Sequence, residues 1–287
     1  MLGALLRGLS WGLGAVPWSA AQRFGRGLGS LGWALSRRDR RRALEHLAIA
    51  FPEATDDERH ALGRASFRHL GETLAESLYL MRHDCAEIGR RVRVEGWDQV
   101  ERARATGRPL LVVTAHCGNW ELIDAAISCR GLAMAVVARQ LAEPEFDALL
   151  VGLRRRFGST TIARGAPGAA RDLLRTLRRG GCLGIVIDQD TKVDGVWVPF
   201  FGRLAYTPVG AADLVRRLGA IPLPTFAERQ PDGSHVVRFH APPELPDDPV
   251  AATAALTQPI EDQVRRRPEQ WVWFHRRWRR QPPEGAT

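Results

Sequence analysis

Residues 110–122 read LLVVTAHCGNWEL, and two side chains in this stretch, His116 and Glu121, are of the types that move protons together. An imidazole can take the proton of an attacking hydroxyl while a carboxylate holds the ring's other N–H and stabilises the imidazolium that forms. Chemistry of this kind needs no nucleophilic side chain, so the neighbouring Cys117 is not required to carry an acyl group. Five residues is a poor separation on one continuous helix, where each step turns the side chain by about 100°. The apolar run before His116 reads instead as a buried strand, with Gly118 giving the turn and Asn119 an N-cap. With His116 in the loop and Glu121 in the first helical turn, the two side chains can meet. A helix N-terminus at this place also offers N–H groups and positive potential to an oxyanion or a phosphate. A half-buried histidine beside a capping glutamate has the same letters, so the pair draws its meaning from context.

A second acidic pair, Asp188 and Asp190, follows the apolar run 182–187. Its members could cap the turn, bind a cation or orient a histidine or arginine; orientation is the expected role, since DxD alone is a weak metal signal. Cys85, Cys117, Cys129 and Cys182 lie far apart, without CxxC or a metal-like Cys/His spacing, and read as thiols of a reducing compartment with no structural zinc. HExxH is absent, which weighs against a zincin protease.

The elements that must position these residues follow from periodicity. Residues 41–50 and 57–82 carry apolar side chains at three- and four-residue spacings and read as two helices separated by Pro52. From residue 92 short apolar runs alternate with helical patterns. Strands are expected at 109–115, 133–138, 182–187 and 220–227, with a late edge strand at 235–241. Helices are expected at 119–130, 143–157, 167–179 and 208–218, the last opened by Thr207 as N-cap and Pro208 in the first turn. This alternation implies an α/β fold with a largely parallel central sheet covered on both faces. In such sheets ligands bind beyond the carboxyl ends of the strands, where His116 and Asp188 emerge.

The formal net charge is +9 among 287 residues, and Lys192 is the only lysine. The excess predicts attraction to nucleic acid, anionic lipid or an acidic protein, or simply an Arg-rich solvated surface. Residues 1–42 hold eight arginines against Asp39 alone, a net of +7. Residues 1–35 are rich in Leu, Gly, Ala and Trp, but Arg7, Arg23 and Arg26 leave uncharged runs of only 15 and 10 residues. Neither reaches the ~20 needed to span a bilayer as a helix. Trp11, Trp18 and Trp33 among arginines fit a segment lying in a membrane interface, anchored by the basic run 37–42; helices packed on the core would show the same pattern. The chain thus divides into an N-terminal membrane-associating helical segment, 1–42, and a main domain, 43–287.

The segment TAHCGNWEL resembles the His-four-residues-acid motif of glycerolipid acyltransferases, and more particularly the late acyltransferases of lipid A biosynthesis. Arg139 in VVARQ, Arg164 in TIARG, IDQD at 187–190, VPFFG at 198–202 and PEQWVWFHRRW at 268–278 extend the resemblance, in order, over roughly residues 40–280. The FPEGTR-like motif of lysophosphatidic acid acyltransferases is missing. The resemblance implies a glycerolipid acyltransferase-like fold and transfer of an acyl chain from acyl carrier protein, or from a coenzyme A thioester, to a hydroxyl of a phosphorylated glycolipid at the cytoplasmic side of the inner membrane. No cofactor, metal or nucleic acid is implied. His116 and Glu121 fall on the family's catalytic positions. Arg139 and Arg164 fall on arginines suited to phosphate or oxyanion binding, although each could equally be a surface ion-pair residue. Trp271, Trp273, Phe274 and Trp278 could line an acyl groove or belong to the core. Arg276, Arg277, Arg279 and Arg280 could face lipid phosphates or the acidic carrier, or form a solvated tail. Alternatives are a different glycolipid acceptor, such as a mannosylated phosphatidylinositol, or a non-enzymatic basic protein binding membrane or nucleic acid.

Overall fold

A computed structural model describes residues 2–283. Four helices come first: α1 (Leu2–Gly14), α2 (Trp18–Leu35), α3 (Arg37–Ala50) and α4 (Asp56–Leu80). Thr55 starts α4 with a reciprocal capping box to Glu58, which satisfies two otherwise unpaired N–H groups. Then come α5 (Cys85–Arg91), β1 (Val92–Glu95), α6 (Trp97–Ala105), β2 (Leu110–Thr114), α7 (Glu121–Ser128), β3 (Met134–Ala138), α8 (Pro144–Arg156) and β4 (Thr160–Ala163). The chain continues through α9 (Ala169–Arg178), β5 (Cys182–Val186), β6 (Gly195–Phe200), β7 (Arg203–Pro208), α10 (Gly210–Leu218), β8 (Ile221–Arg229), β9 (His235–Phe239) and α11 (Pro249–Arg266).

Seven strands form one sheet in the order β1-β9-β8-β2-β5-β3-β4, parallel except where β8 and β9 pair antiparallel. The side chains of β2 alternate between two cores: Leu110 and Val112 join the helices α1, α4, α6, α7 and α8, whereas Leu111 and Val113 join α3, α10, α11 and the C-terminal tryptophans. Both faces are therefore covered, as a parallel sheet requires. The strand expected at the edge, residues 235–241, lies inside the sheet, because the short β1 adds itself beyond it. Four strands escaped periodicity: β1 and β4 have four residues each, and β6 and β7 form a separate two-stranded hairpin. Thr207 and Pro208 close β7 rather than open α10, whose N-cap is Val209. Phe201 and Gly202 turn that hairpin with φ of +53° and +70°, the signs a type I′ turn demands.

The first two helices pack with one face and expose the other. Trp18 and Trp33 are buried, Trp18 edge-on to Tyr79 and Trp33 edge-on to Phe67; only Trp11 of the three expected interfacial tryptophans is outside, at 63% exposure. Alongside it Leu2, Leu5, Val16, Phe24, Leu28, Leu31 and Leu35 are exposed, and a shallow cavity of about 340 Å³ is lined by Leu5, Gly8, Leu9, Gly12, Leu13 and Phe24. No described helix is long and apolar enough to cross a membrane. On the inner side α2 crosses α4 backbone to backbone: a Cβ on Gly29 would lie 2.1 Å from the Phe67 carbonyl oxygen, and one on Gly71 2.1 Å from that of Gly25.

The reading of all four cysteines as free thiols is corrected. Cys85 and Cys129 form a disulfide that joins the start of α5 to the end of α7, while Cys117 and Cys182 are buried thiols. The bridged cysteines, 44 positions apart in the chain, come together through packing that no spacing rule reports.

Candidate active site

His116 leaves the carboxyl end of β2, and Asp188 leaves that of β5, its parallel neighbour, in which Thr114 faces Val186. The two side chains meet: His116 Nδ1 lies 2.8 Å from Asp188 Oδ1, and the His116 backbone N–H donates to Oδ2 at 2.9 Å. Trp271 Nε1 donates to the same Oδ2 at 2.9 Å. Burial pushes the Asp188 carboxyl up, but the His116 charge and hydrogen bond, His275 and the Trp271 donor outweigh it and hold it well below the usual carboxylate range. An ionised carboxylate can only accept, so Nδ1 of His116 is the donor in this contact, and in a neutral ring the lone pair falls on Nε2.

The expected contact of His116 with Glu121 does not form. Glu121, in the first turn of α7, is gripped on both oxygens by Arg154 of α8, with Nε at 2.9 Å and Nη2 at 2.7 Å. Both members are buried, and the Glu121 charge raises Arg154 even against burial, which lowers it. The acid that serves His116 stands 72 positions away because strand order, not chain order, sets neighbours. Asn119 does not cap α7 with its side chain; its Nδ2 donates to buried Glu76 at 2.8 Å. The turn itself needs Gly118, at φ +67°, where a Cβ would fall 1.6 Å from the Ala227 carbonyl oxygen.

The loop after β5 is a hub in which each residue has a separate partner. Asp188 meets His116, and Gln189 Nε2 stands 2.7 Å from His275 Nδ1 and 3.2 and 3.4 Å from His116 Nδ1 and Nε2. Asp190 pairs with Arg279 at 3.3 Å and accepts the Arg280 backbone N–H at 3.0 Å, and Thr191 accepts from Arg164 at 3.3 Å. Burial, then the neighbouring His116 charge, pushes His275 down to about 3, so it sits neutral beside the His116 ring, their centroids 4.6 Å apart. Donor atoms of His116, Asp188 and His275 lie within 4.8 Å of one another, close enough to hold a metal ion; all three are also engaged in the hydrogen bonds just described.

Arg139 and Arg164 follow the adjacent strands β3 and β4. Burial and the charge of Arg139 lower Arg164, so two guanidinium groups share one corner, and among the described residues neither makes an ion pair. The C-terminal motif is core: Trp271 and Trp273 are almost fully buried, and the Cys117–Trp271 bridge docks this segment on the His116 turn. Arg277 is no solvated tail residue. Buried completely, it donates to the Tyr206 carbonyl at 3.2 Å and Thr207 Oγ1 at 2.8 Å, and burial pushes it down to about 10.

Burial, then Asp188, pushes the Cys117 thiol far above its ordinary range, which disfavours its nucleophilic thiolate form. Residues 8–12 spell GxSxG, the letters of an esterase elbow, but they run inside α1, and Ser10 Oγ donates to the Leu78 carbonyl at 3.0 Å. Sequence reasoning missed Arg154, Gln189 and His275 as partners. The last two lie inside the quoted IDQD and WVWFHRRW stretches, the only signal that pointed toward them.

A histidine held at Nδ1 by a buried carboxylate, at the carboxyl edge of a parallel sheet, has the geometry that general-base chemistry uses. Residues 3–280 match the model of the bacterial lipid A biosynthesis acyltransferases; the chain belongs to that family and is an acyltransferase. It is 27% identical over 280 residues to a lipid A biosynthesis lauroyltransferase of Escherichia coli, covering 96% of this chain and 90% of that one. It is 28% identical over 282 residues to the palmitoleoyltransferase of the same organism, with the same coverage. A phosphatidylinositol mannoside acyltransferase of Mycobacterium tuberculosis is 25% identical over 187 residues, 64% of this chain and 59% of that one.

Proposed function

We propose that this enzyme moves a fatty acyl group from a thioester, borne by acyl carrier protein, to a hydroxyl of a lipid A precursor at the inner membrane. The observation that carries the reading is the 2.8 Å contact of His116 Nδ1 with buried Asp188, which leaves Nε2 as the base. Nε2 takes the acceptor's hydroxyl proton as its oxygen attacks the thioester carbonyl. The tetrahedral intermediate then expels the thiolate, which takes the proton from the imidazolium, so that ester and thiol leave with nothing attached to the protein. Glu121 is a positioning residue here, fixing α7 through Arg154, and Arg139 and Arg164 bind acceptor phosphate or steady the oxyanion.

The outer face of α1 and α2 supports seating on the membrane. Eight of the nine exposed large hydrophobic side chains of the described residues lie between Leu2 and Leu35, and the basic start of α3 follows at once. Apolar side chains with an adjacent basic run suit the interface of an anionic leaflet on the cytoplasmic side, with the protein peripheral or monotopic. The test is mass spectrometry of products formed by purified protein from acyl carrier protein and coenzyme A donors, offered lipid A precursors and, following the mycobacterial relative, mannosylated phosphatidylinositol. Acylated lipid A precursor with the carrier donor is expected. Acylation of the mannoside alone would move the acceptor, and no O-acyl product from any pair would overturn the reading.

A further inference from the structure

Behind the His116 turn lies a buried network that proton transfer leaves unused. Glu76 of α4 has no solvent exposure, yet its carboxylate accepts from three separate elements. Gln22 Nε2 of α2 reaches Oε1 at 2.7 Å, Asn119 Nδ2 of the catalytic turn reaches Oε2 at 2.8 Å, and Arg229 of β8 contacts the two oxygens at 3.0 and 2.8 Å. Burial pushes this carboxyl up, but the Arg229 charge and then His235 prevail and hold it well below the carboxylate range. Arg229 is shared with Glu72 at 3.1 Å, and Glu72 accepts from Arg26 of α2 at 2.7 Å. Gln22 makes a second bond, to the Gly233 carbonyl at 2.8 Å. A buried ion pair of this kind is weak evidence of stabilisation, since apolar residues of similar volume often serve as well or better. What it does provide is a fixed acceptor in a low-dielectric interior, where each hydrogen bond is strong and costly to leave unmade.

Resting on the reading of His116 as the base, we propose that Glu76 is a positioning residue that couples the N-terminal helical hairpin to the catalytic turn. Asn119 stands three residues past His116 and is fully buried. Its side chain is held by Glu76 and its backbone N–H by the Ala227 carbonyl at 3.1 Å. The hydrogen bonds run from Gln22 through Glu76 to Asn119, so a displacement of α2 reaches the turn that aims the imidazole. The same helix exposes Phe24, Leu28, Leu31 and Leu35 on its outer side. Seating that side on a lipid surface therefore sets turnover as well as access to a lipid substrate.

The test uses the full chain with Gln22→Ala and Asn119→Ala, singly and together, assayed for acyl transfer to a vesicle-borne acceptor. Hydrogen exchange of residues 116–122 is followed in parallel, with and without anionic phospholipid vesicles. Asn119→Ala should lower kcat by ~10-fold or more and Gln22→Ala by ~3-fold, with acceptor KM changed by less than ~2-fold. The double variant should be no slower than Asn119→Ala, because members of one network do not act additively. Vesicles should slow exchange in 116–122 of the wild type but not of Gln22→Ala. Gln22→Ala leaves the Arg229–Glu76 pair in place and so keeps the fold; Gln22→Glu, which sets a like charge against Glu76, should deepen the loss. Losses that multiply, or a Gln22→Ala protein with lower Tm but parental kcat and exchange, would reduce Glu76 to scaffold. A wild type that transfers nothing yet shows vesicle-dependent protection of the turn would sink the functional reading and still support the coupling.

Discussion

The two ends of the six-residue turn from His116 to Glu121 each hold a charge-bearing pair, and the pairs are built in opposite ways. His116 has 19% of its side chain exposed and its carboxylate, Asp188, none; Glu121 and Arg154 are 5% and 9% exposed. In the first pair the counter-charge is hidden and the imidazole is partly exposed, with Gln189 the polar neighbour of its Nε2. In the second, each charge is neutralised by a two-point contact and both members are buried. A carboxylate at a motif position can thus be reactive or structural, and the identity and exposure of its partner decide which.

Removing the open end should cost most. His116→Ala is expected to abolish transfer, at least ~10³-fold in kcat, and Asp188→Asn to lower it by ~10²–10⁴, since an amide no longer imposes the reactive tautomer. Tm should barely move in His116→Ala. Substantial turnover by that variant would remove the base from the mechanism.

The closed end should fail in stability first. Glu121→Gln strands the Arg154 charge in the interior, at a cost of about 3–5 kcal/mol, read from the denaturant midpoint, and the rate should fall with the displaced turn. Combining it with Arg154→Met should restore stability and much of the rate. If stability returns while transfer stays ~100-fold down, Glu121 belongs to the chemistry after all.

Arg139→Ala and Arg164→Ala are expected to lower kcat/KM by ~10-fold each with unchanged Tm. A clear drop in Tm with normal activity would make them structural residues like Arg154.

The smallest effect concerns Asp124, one turn beyond Glu121 and buried beside Ser159. Burial, only partly offset by the Ser159 hydrogen bond, pushes its carboxyl up to about 7. The folded form therefore holds a proton that the unfolded chain, near ~3.9, has released. The stability this contributes is present below the unfolded value and lost as pH rises through about 7. Asp124→Asn, which stays neutral, should gain in Tm over the parent at pH 8 relative to pH 5. A difference that does not change with pH would show that Asp124 does not titrate in this range.

Much of this architecture is written in local pattern. Residues 110–113 and 182–186 show the continuous apolar runs of strands covered on both faces, and 221–224 and 226–227 do so around a single threonine. The short β1 and β4 carry too few residues for a period to emerge. Pairing was beyond local reading. That Asp188 and not Glu121 meets His116 depends on β5 lying beside β2, although β3 and β4 separate them in the chain. The dual nature of α2 was hidden because its packed face is made of glycines as well as tryptophans, and glycine carries no hydropathy signal. The cysteine bridge likewise depends on the packing of α5 against α7.

The glycine-lined crossing of α2 over α4 fixes a height. Because any side chain at Gly29 or Gly71 would strike the opposing backbone, α2 and α4 lie backbone against backbone, and the outer face of α2 stands one helix away from Glu76 and the turn that holds His116. Were that face to rest in a bilayer, as proposed, the crossing would set the height of the imidazole above the acyl chains. On the proposed reading, an acceptor would then be chosen in part by how far its hydroxyl rises from the membrane surface.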